Sequence, residues 1–94
     1  MSKIEIYSSR LCPYCWLARS LLNKKGVSYT IKGVPLIFGW KLPTRNYKEM
    51  VERSGGQTTI PQIFVDGEHI GDEDTLQELE QKGELERVLK MDAA

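Results

Sequence analysis

The sequence predicts an α/β fold, a four-stranded mixed β-sheet flanked by helices, with the element order β-α-β-α-β-β-α. A β-loop-α-β pattern opens the chain, an apolar strand segment followed by a tight-turn signal lies in its second half, and helical spacing marks the C-terminal part. The first pattern predicts a parallel strand pair, because a helix joins the two strands, and the second predicts an antiparallel hairpin.

The first three elements are predicted within residues 4–31. Residues 4–7 alternate as a strand does, and residues 27–31 suit the second strand. Pro13 fits the first helical turn, where its missing N–H costs nothing, and Gly26 marks the end of this helix. A right-handed crossover is expected between the two strands.

The later elements follow from turn and cap signals. Prolines and Gly39 interrupt the apolar segment 33–43, so we predict no regular element there. Thr44 is a suitable N-cap for a second helix. A third strand, a tight turn and a fourth strand are expected over residues 60–70, followed by a helix that a capping box at Thr75 opens. Helical spacing resumes over residues 84–90.

Composition narrows the class of protein. The chain has 94 residues, 40% hydrophobic and 28% charged, which fits one globular domain over residues 1–94. Its longest apolar run is too short to cross a membrane, and no basic patch with interleaved aromatic residues suggests nucleic-acid binding. We recognise no signal peptide, and two closely spaced cysteines suit a reducing compartment, so we expect a cytoplasmic protein.

The charges are segregated along the chain although the formal net charge is zero. Residues 1–53 hold ten Lys and Arg against three Asp and Glu, whereas residues 54–94 hold three against ten. Such an asymmetry either orients a charged partner or reflects acidic helices that are simply solvated.

The two cysteines, Cys12 and Cys15, stand at i and i+3 where the first helix is predicted to begin. Free N–H groups and the helix dipole favour an anion there, and the thiolate is the reactive form of cysteine. A zinc site is disfavoured because it needs four ligands and His69 is the only histidine. A disulfide closing so short a loop would stabilise the fold by only about 2 kcal/mol. A redox pair is therefore favoured, with Cys12 as an exposed nucleophile and Cys15 as the inward-facing resolving thiol.

Side chains around the cysteine pair have two interpretations each. Arg10 and Arg19 either assist the thiolate or are solvated, and Tyr14 either lines a substrate groove or packs on the surface. Trp16 follows on the far side of the helix, where core or flank packing is expected.

The chain resembles a dithiol glutaredoxin of the thioredoxin superfamily along nearly its whole length. The matching segments are Cys-Pro-Tyr-Cys at 12–15, Thr-Ile-Pro-Gln-Ile-Phe at 59–64, Asp-Gly at 66–67 and His-Ile-Gly at 69–71. The resemblance implies a thioredoxin-like fold and the glutathione-dependent reduction of protein disulfides and glutathione mixed disulfides. Glutathione would be the cosubstrate and disulfide-containing proteins the partners, with no metal expected and a monomeric protein.

The same resemblance implies the binding site. The Ile60–Pro61 bond would be cis, and the backbone beside it would pair with glutathione in the manner of strand addition. Backbone N–H groups at the start of the third helix would receive the γ-glutamyl carboxylate, and the Asp74 side chain would pair with the ligand's amine. The implied glutathione-binding residues are Arg10, Tyr14, Thr59, Ile60, Pro61, Gly71, Glu73 and Asp74.

Three departures from the family pattern bear on the ligand. Ser9 stands where relatives commonly have Lys, and Asp72 replaces the second glycine of a Gly-Gly pair. Because both changes disfavour an anionic ligand, we expect weaker glutathione affinity than in a relative with Lys and Gly-Gly. Segment 33–43 is longer and more apolar than usual, so either it forms a partner or dimer surface or Phe38 and Trp40 fold over the sheet edge.

Two alternative functions remain open. One is a thioredoxin-like electron donor that a flavoprotein reductase recharges. The other is an iron–sulfur scaffold in which Cys12 of two chains shares a cluster with glutathione.

Overall fold

The computed structural model describes residues 3–10, 12–37 and 40–90. The elements are β1 (Ile4–Ser8), α1 (Pro13–Lys25), β2 (Thr30–Gly33), β3 (Leu36–Ile37), β4 (Trp40–Lys41), α2 (Arg45–Arg53), β5 (Gln62–Val65), β6 (Glu68–Gly71), α3 (Glu73–Gln81) and α4 (Leu85–Val88). The main sheet has the strand order β2-β1-β5-β6. β1 is parallel to β2 and antiparallel to β5, and β5 is antiparallel to β6, so the predicted mixed sheet flanked by helices is confirmed.

The apolar segment contains a short hairpin that the sequence analysis did not predict. β3 and β4 form a two-stranded ribbon, and the Leu42 N–H donates to the Pro35 carbonyl at 3.1 Å beside it. The prolines flank the ribbon instead of preventing it. Trp40 is 78% exposed, so the prediction that it folds over the sheet edge is wrong. Phe38 and Gly39 lie outside the described residues.

Several element boundaries differ from their predictions, and two of the differences have a clear physical reason. β2 begins at Thr30, three residues later than expected, since register with β1 decides where pairing starts. The N-cap of α3 is Asp72, not Thr75. The Asp72 carboxylate accepts hydrogen bonds from the N–H and the hydroxyl of Thr75, each at 3.1 Å, so the hydroxyl is already a donor within the first turn.

Helices cover both faces of the central strands, so every residue of β1 and β5 is buried. Alternate residues of the two strands therefore enter separate cores. Ile6 and Ile63 lie in the core that includes Leu22 of α1 and Leu76 of α3. The second core, on the α2 side, contains Tyr7, Val34, Met50 and Phe64.

A network of charges lies at the α2 side of the sheet. Arg53 binds the buried Glu5 carboxylate at 3.0 Å and donates to the Tyr7 hydroxyl at 2.7 Å. Lys32 binds Glu49 at 2.5 Å, and the Tyr7 hydroxyl also donates to Glu49. Hydrogen bonds from Lys32 and Tyr7 lower the pKa of Glu49 to about 2. Hydrogen bonding to Arg53 likewise holds the pKa of Glu5 below its usual value.

We expect the substitution Glu49→Gln to reduce the acid sensitivity of the fold. Because the pKa of Glu49 is about 2 when folded and its usual value is 4.5, its stabilisation is present above about 4.5 and is lost as the pH falls toward 2. Melting temperatures followed by circular dichroism should be lower for the variant at pH 7 and should fall less than wild type across this window. Exposed Glu52 on the same helix provides the control, Glu52→Gln. Parallel curves for wild type and Glu49→Gln would contradict the assignment.

Candidate active site

Cys12 is the N-cap residue of α1, and Pro13 begins the helix. Its sulfur accepts a hydrogen bond from the Cys15 N–H at 3.3 Å. Cys12, at the end of the loop after β1, has an extended backbone, and the i+3 spacing places the Cys15 N–H over the Cys12 sulfur. A negative charge on Cys12 would thus meet both a donated N–H and the positive end of the helix dipole.

A segment from the other half of the chain completes the surroundings of this sulfur. The Ile60–Pro61 peptide bond is cis, as the family resemblance implies. The Ile60 carbonyl oxygen lies 3.8 Å from the Cys12 sulfur and accepts a hydrogen bond from the thiol. The sulfur therefore lies between an N–H group that suits the thiolate and a carbonyl that suits the thiol.

Both cysteines are buried free thiols. Cys12 is 9% exposed and Cys15 is fully buried, so the prediction of an exposed Cys12 is wrong, and that of an inward-facing Cys15 is right. Burial, followed by the hydrogen bond with Cys12, raises the pKa of Cys15 to about 12. The Ser9 backbone and the Arg19 guanidinium act in the opposite direction but more weakly. At neutral pH the Cys15 side chain is therefore a protonated thiol.

A groove of about 210 Å³ is lined by the aromatic ring next to Cys12, the cis-proline segment and the start of α3. Its residues are Tyr14, Thr59, Ile60, Pro61, Asp72, Glu73 and Asp74. These include every residue of the expected glutathione site except Arg10 and Gly71. The glutathione contacts themselves stay predictions.

Gly71 has a packing role that accounts for a glycine at this position. Its φ of +146° lies outside the range that other residues favour. A Cβ atom placed on it would lie 2.5 Å from the Thr75 side-chain oxygen, so only glycine lets β6 pass this close to α3.

Three carboxylates surround the N-terminus of α3. Asp72, predicted only as a departure from the family pattern and not as a site residue, lines the groove and caps the helix. Glu73 is 7% exposed, and burial together with the charge of Asp74 raises its pKa. An Asp that follows a glycine is an N-cap signal, and the sequence contains it at Asp72. The sequence does not show that this helix lies near the cysteines.

The remaining candidates lie away from the groove. Arg10 and Arg19 line a different pocket, on the side of β2. Trp16 is 61% exposed, so the expected core or flank packing is wrong. Within residues 3–10, 12–37 and 40–90, no group of three or more His, Cys, Asp or Glu side chains is placed to hold a metal ion. Across the same residues, none of the helices has the length and apolar character to traverse a bilayer.

We expect the two thiols to differ strongly in reactivity. In native protein at neutral pH, iodoacetamide should modify Cys15→Ser, which keeps Cys12, roughly 100-fold faster than Cys12→Ser, since a buried thiol of raised pKa supplies little thiolate. The reactivity of Cys15 should rise only as the pH approaches strongly alkaline values. Mass spectrometry of the adducts gives both rates, and the same reaction in denaturant provides the control. Similar native rates would show that burial does not protect Cys15.

The chain matches known proteins over nearly its full length. The family model described as Glutaredoxin matches residues 4–70. Glutaredoxin 3 of Escherichia coli strain K12 is 42% identical over 90 residues, covering 96% of this chain and 100% of that protein.

Solved structures of glutaredoxins have the same fold as this chain. The glutaredoxin of Brucella melitensis superimposes with a TM-score of 0.73 at 36% identity, covering 94% of this chain and 88% of that one. A buckwheat glutaredoxin, solved in complex with glutathione, has a TM-score of 0.76 at 22% identity, covers 96% of this chain and 78% of that one, and shows the shared fold. The cysteine pair at the start of α1, the cis-proline segment opposite it and these matches together establish that the chain belongs to the glutaredoxin family of thiol–disulfide oxidoreductases.

Proposed function

We propose that the chain uses glutathione to reduce protein disulfides and glutathione mixed disulfides, with Cys12 as nucleophile and Cys15 as resolving thiol. The observation that carries this proposal is the Cys12 sulfur at the N-cap of α1, which accepts a hydrogen bond from the Cys15 N–H and lies against the Ile60 carbonyl. A thiolate formed there meets its stabilising amide without rearrangement of the backbone.

The proposed reaction uses the two thiols in succession. The Cys12 thiolate attacks one sulfur of the substrate disulfide, a mixed disulfide forms, and the other substrate sulfur leaves as a thiolate that takes up a proton. Cys15 then loses its proton and attacks the Cys12 sulfur, which releases the second substrate thiol and leaves a Cys12–Cys15 disulfide. Two molecules of glutathione restore the dithiol and become glutathione disulfide. Because burial raises the pKa of Cys15, we propose that its proton moves to the departing substrate thiolate as it attacks.

The groove supports glutathione as the cosubstrate. In our proposal an extended ligand lies along the Ile60 backbone, with Tyr14 and Pro61 beside it. The N–H groups of Glu73 and Asp74, in the first turn of α3, receive the γ-glutamyl carboxylate, and the Asp74 side chain receives the amine. Arg10 and Gly71 are retained as candidate contacts on the strength of the family resemblance alone.

The proposal also includes the domain organisation, oligomeric state, metal content and location of the protein. We propose a single glutaredoxin domain over residues 1–94 that acts as a monomer, without a resident metal, on disulfide-containing protein substrates. Nucleic acid and membranes are not among the proposed partners. Two closely spaced cysteines suit a reducing compartment, so the cytoplasm is the proposed location.

One observation favours a second candidate function, an electron donor that a flavoprotein reductase recharges. Carboxylates of Asp72, Glu73 and Asp74 all line the groove, and an anionic tripeptide is disfavoured there relative to a partner protein. The two candidates differ in their dependence on glutathione during turnover.

We expect the two serine variants to separate the roles of the thiols. Cys12→Ser should reduce turnover of both protein disulfides and glutathione mixed disulfides by more than about 100-fold, because it removes the nucleophile. Cys15→Ser should retain turnover of the mixed disulfide, which a second glutathione can resolve, and should lose turnover of the protein disulfide. Assays coupled to glutathione reductase measure both. Substantial activity in Cys12→Ser would contradict the proposed nucleophile.

We expect Asp72→Asn to tighten the apparent binding of glutathione. Asparagine can still cap α3, so the substitution removes one negative charge with little change of structure. Relief of about 1 kcal/mol of repulsion corresponds to a KM for glutathione that is about 2- to 5-fold lower, with kcat unchanged. Glu78→Gln, an exposed residue of the same helix outside the groove, is the control. An unchanged KM in Asp72→Asn would mean that the capping carboxylate does not act on the ligand.

A further inference from the structure

A second, larger pocket of about 680 Å³ lies next to the active-site loop. The loop that leads from β1 to Cys12 forms one wall, α1 contributes a side chain from its second turn, and the edge strand β2 with the start of the apolar segment forms the rest. Its lining includes Ser9, Arg10, Arg19, Ile31, Val34 and Leu36.

The pocket lies on the face of the sheet that α1 covers. Ile31 is opposite Ile6 in the parallel pairing of β1 with β2, and Ile6 packs against α1. Cross-strand neighbours point to the same face, so Ile31 does as well. β2 is an edge strand, and Ile31 is 50% exposed beside it. No described residue lines both this pocket and the groove of Tyr14, Pro61 and Asp74, so the two are separate.

The charges of the two sites are opposite. Arg10 and Arg19 line this pocket, and none of the described residues that line it is an Asp or a Glu. The Nε atom of Arg19 is buried and has no hydrogen-bond partner within the described part of the chain. A buried donor left unpaired is energetically unfavourable, and an incoming carboxylate can supply the missing partner.

The position of the pocket indicates what kind of molecule would use it. Ser9 and Arg10 line the pocket and belong to the loop that leads to Cys12, so an occupant lies against the active-site loop. The apolar side chains of Ile31 and Leu36 suit an aliphatic side chain, and the arginines suit an acidic residue next to it. The excess of basic residues in the first half of the chain also attracts an acidic partner, at longer range.

We propose that this pocket docks the protein substrate, receiving an aliphatic side chain with a neighbouring aspartate or glutamate close in sequence to the substrate's reacting cysteine. This inference rests on the proposed function, since it assumes that Cys12 attacks a protein disulfide. Glutathione and the protein substrate then approach one sulfur from sites of opposite charge. Arg10 and Arg19 select among protein substrates, whereas the groove selects the small thiol.

The test uses charge substitutions at Ile31, whose side chain is half exposed and tolerates replacement. The substrates are two synthetic peptides with one intramolecular disulfide each, which differ only in carrying Leu-Asp or Leu-Lys beside a cysteine. Wild type should reduce the acidic peptide with a kcat/KM about 5- to 10-fold higher than the basic one. Ile31→Glu should remove this preference, whereas Ile31→Lys should retain or increase it.

Matched controls come from the neighbouring strand position. Thr30 is exposed on the same edge strand but is opposite Glu5, whose side chain points to the α2 face. Thr30→Glu and Thr30→Lys should therefore leave the peptide preference unchanged. Turnover of the mixed disulfide of glutathione and mercaptoethanol gives the reference rate for every variant.

The possible outcomes separate this inference from the proposed function. Equal kcat/KM values for the two peptides in wild type would overturn the docking site and leave the function intact. Failure of wild type to turn over both peptides and the small mixed disulfide would overturn the function and the docking site together. Self-association in sedimentation experiments that Ile31→Glu abolishes, without a peptide preference, would assign the surface to a second copy of the chain and overturn substrate docking.

Discussion

The antiparallel pairing of β1 with β5 is the constraint on which the active site depends. It places Tyr7 opposite Gln62, so the chain that leaves β1 and the chain that enters β5 meet at one edge of the sheet. Cys12 and Ile60 are thereby brought into contact across a sequence separation of 48 residues. Since both strands are central and covered on both faces, neither side of this contact can shift without disturbing a core.

The two sulfurs have different roles because their surroundings differ. Both are shielded from solvent, but Cys12 has the N-cap position and its donated amide, whereas Cys15 faces the core and its pKa is raised to about 12. The resolving thiol is kept from reacting with external disulfides until a mixed disulfide with Cys12 has formed beside it. One turn of helix thus separates a sulfur that begins the reaction from one that ends it.

Local cap and turn signals made much of the fold predictable from the sequence. Gly26 ends α1 in the left-handed conformation, Thr44 caps α2, and the Asp66-Gly67 turn has positive φ at both residues. The cap of α3 was misassigned because Asp72 and Thr75 are both acceptable N-cap residues three positions apart. The choice depends on the close approach of β6 at Gly71, which is a tertiary contact.

Long-range contacts explain the other differences. Glu5 and Tyr7 alternate with apolar residues along β1, yet both are buried, because α2 covers their face and supplies Arg53 as a partner for Glu5. The partners are dispersed along the chain, so no local pattern connects them. Similarly, the spacing of the cysteines predicted the dithiol, but only the family resemblance linked it to the cis-proline segment and the start of α3.

Thiol–disulfide exchange brings different thiols to one sulfur in succession, and the charges around Cys12 suit this requirement. A single cationic site would favour any acidic disulfide and would also retain the anionic products of each half-reaction. Here the groove at Asp72, Glu73 and Asp74 is acidic, and the pocket at Arg10 and Arg19 is basic. The amine of glutathione suits the first site and an acidic protein segment suits the second, so the two reactants are favoured at different places around one sulfur. The apolar segment after β2 contributes Leu36 to the basic pocket, which gives this insertion a role in choosing substrates without a part in the chemistry itself.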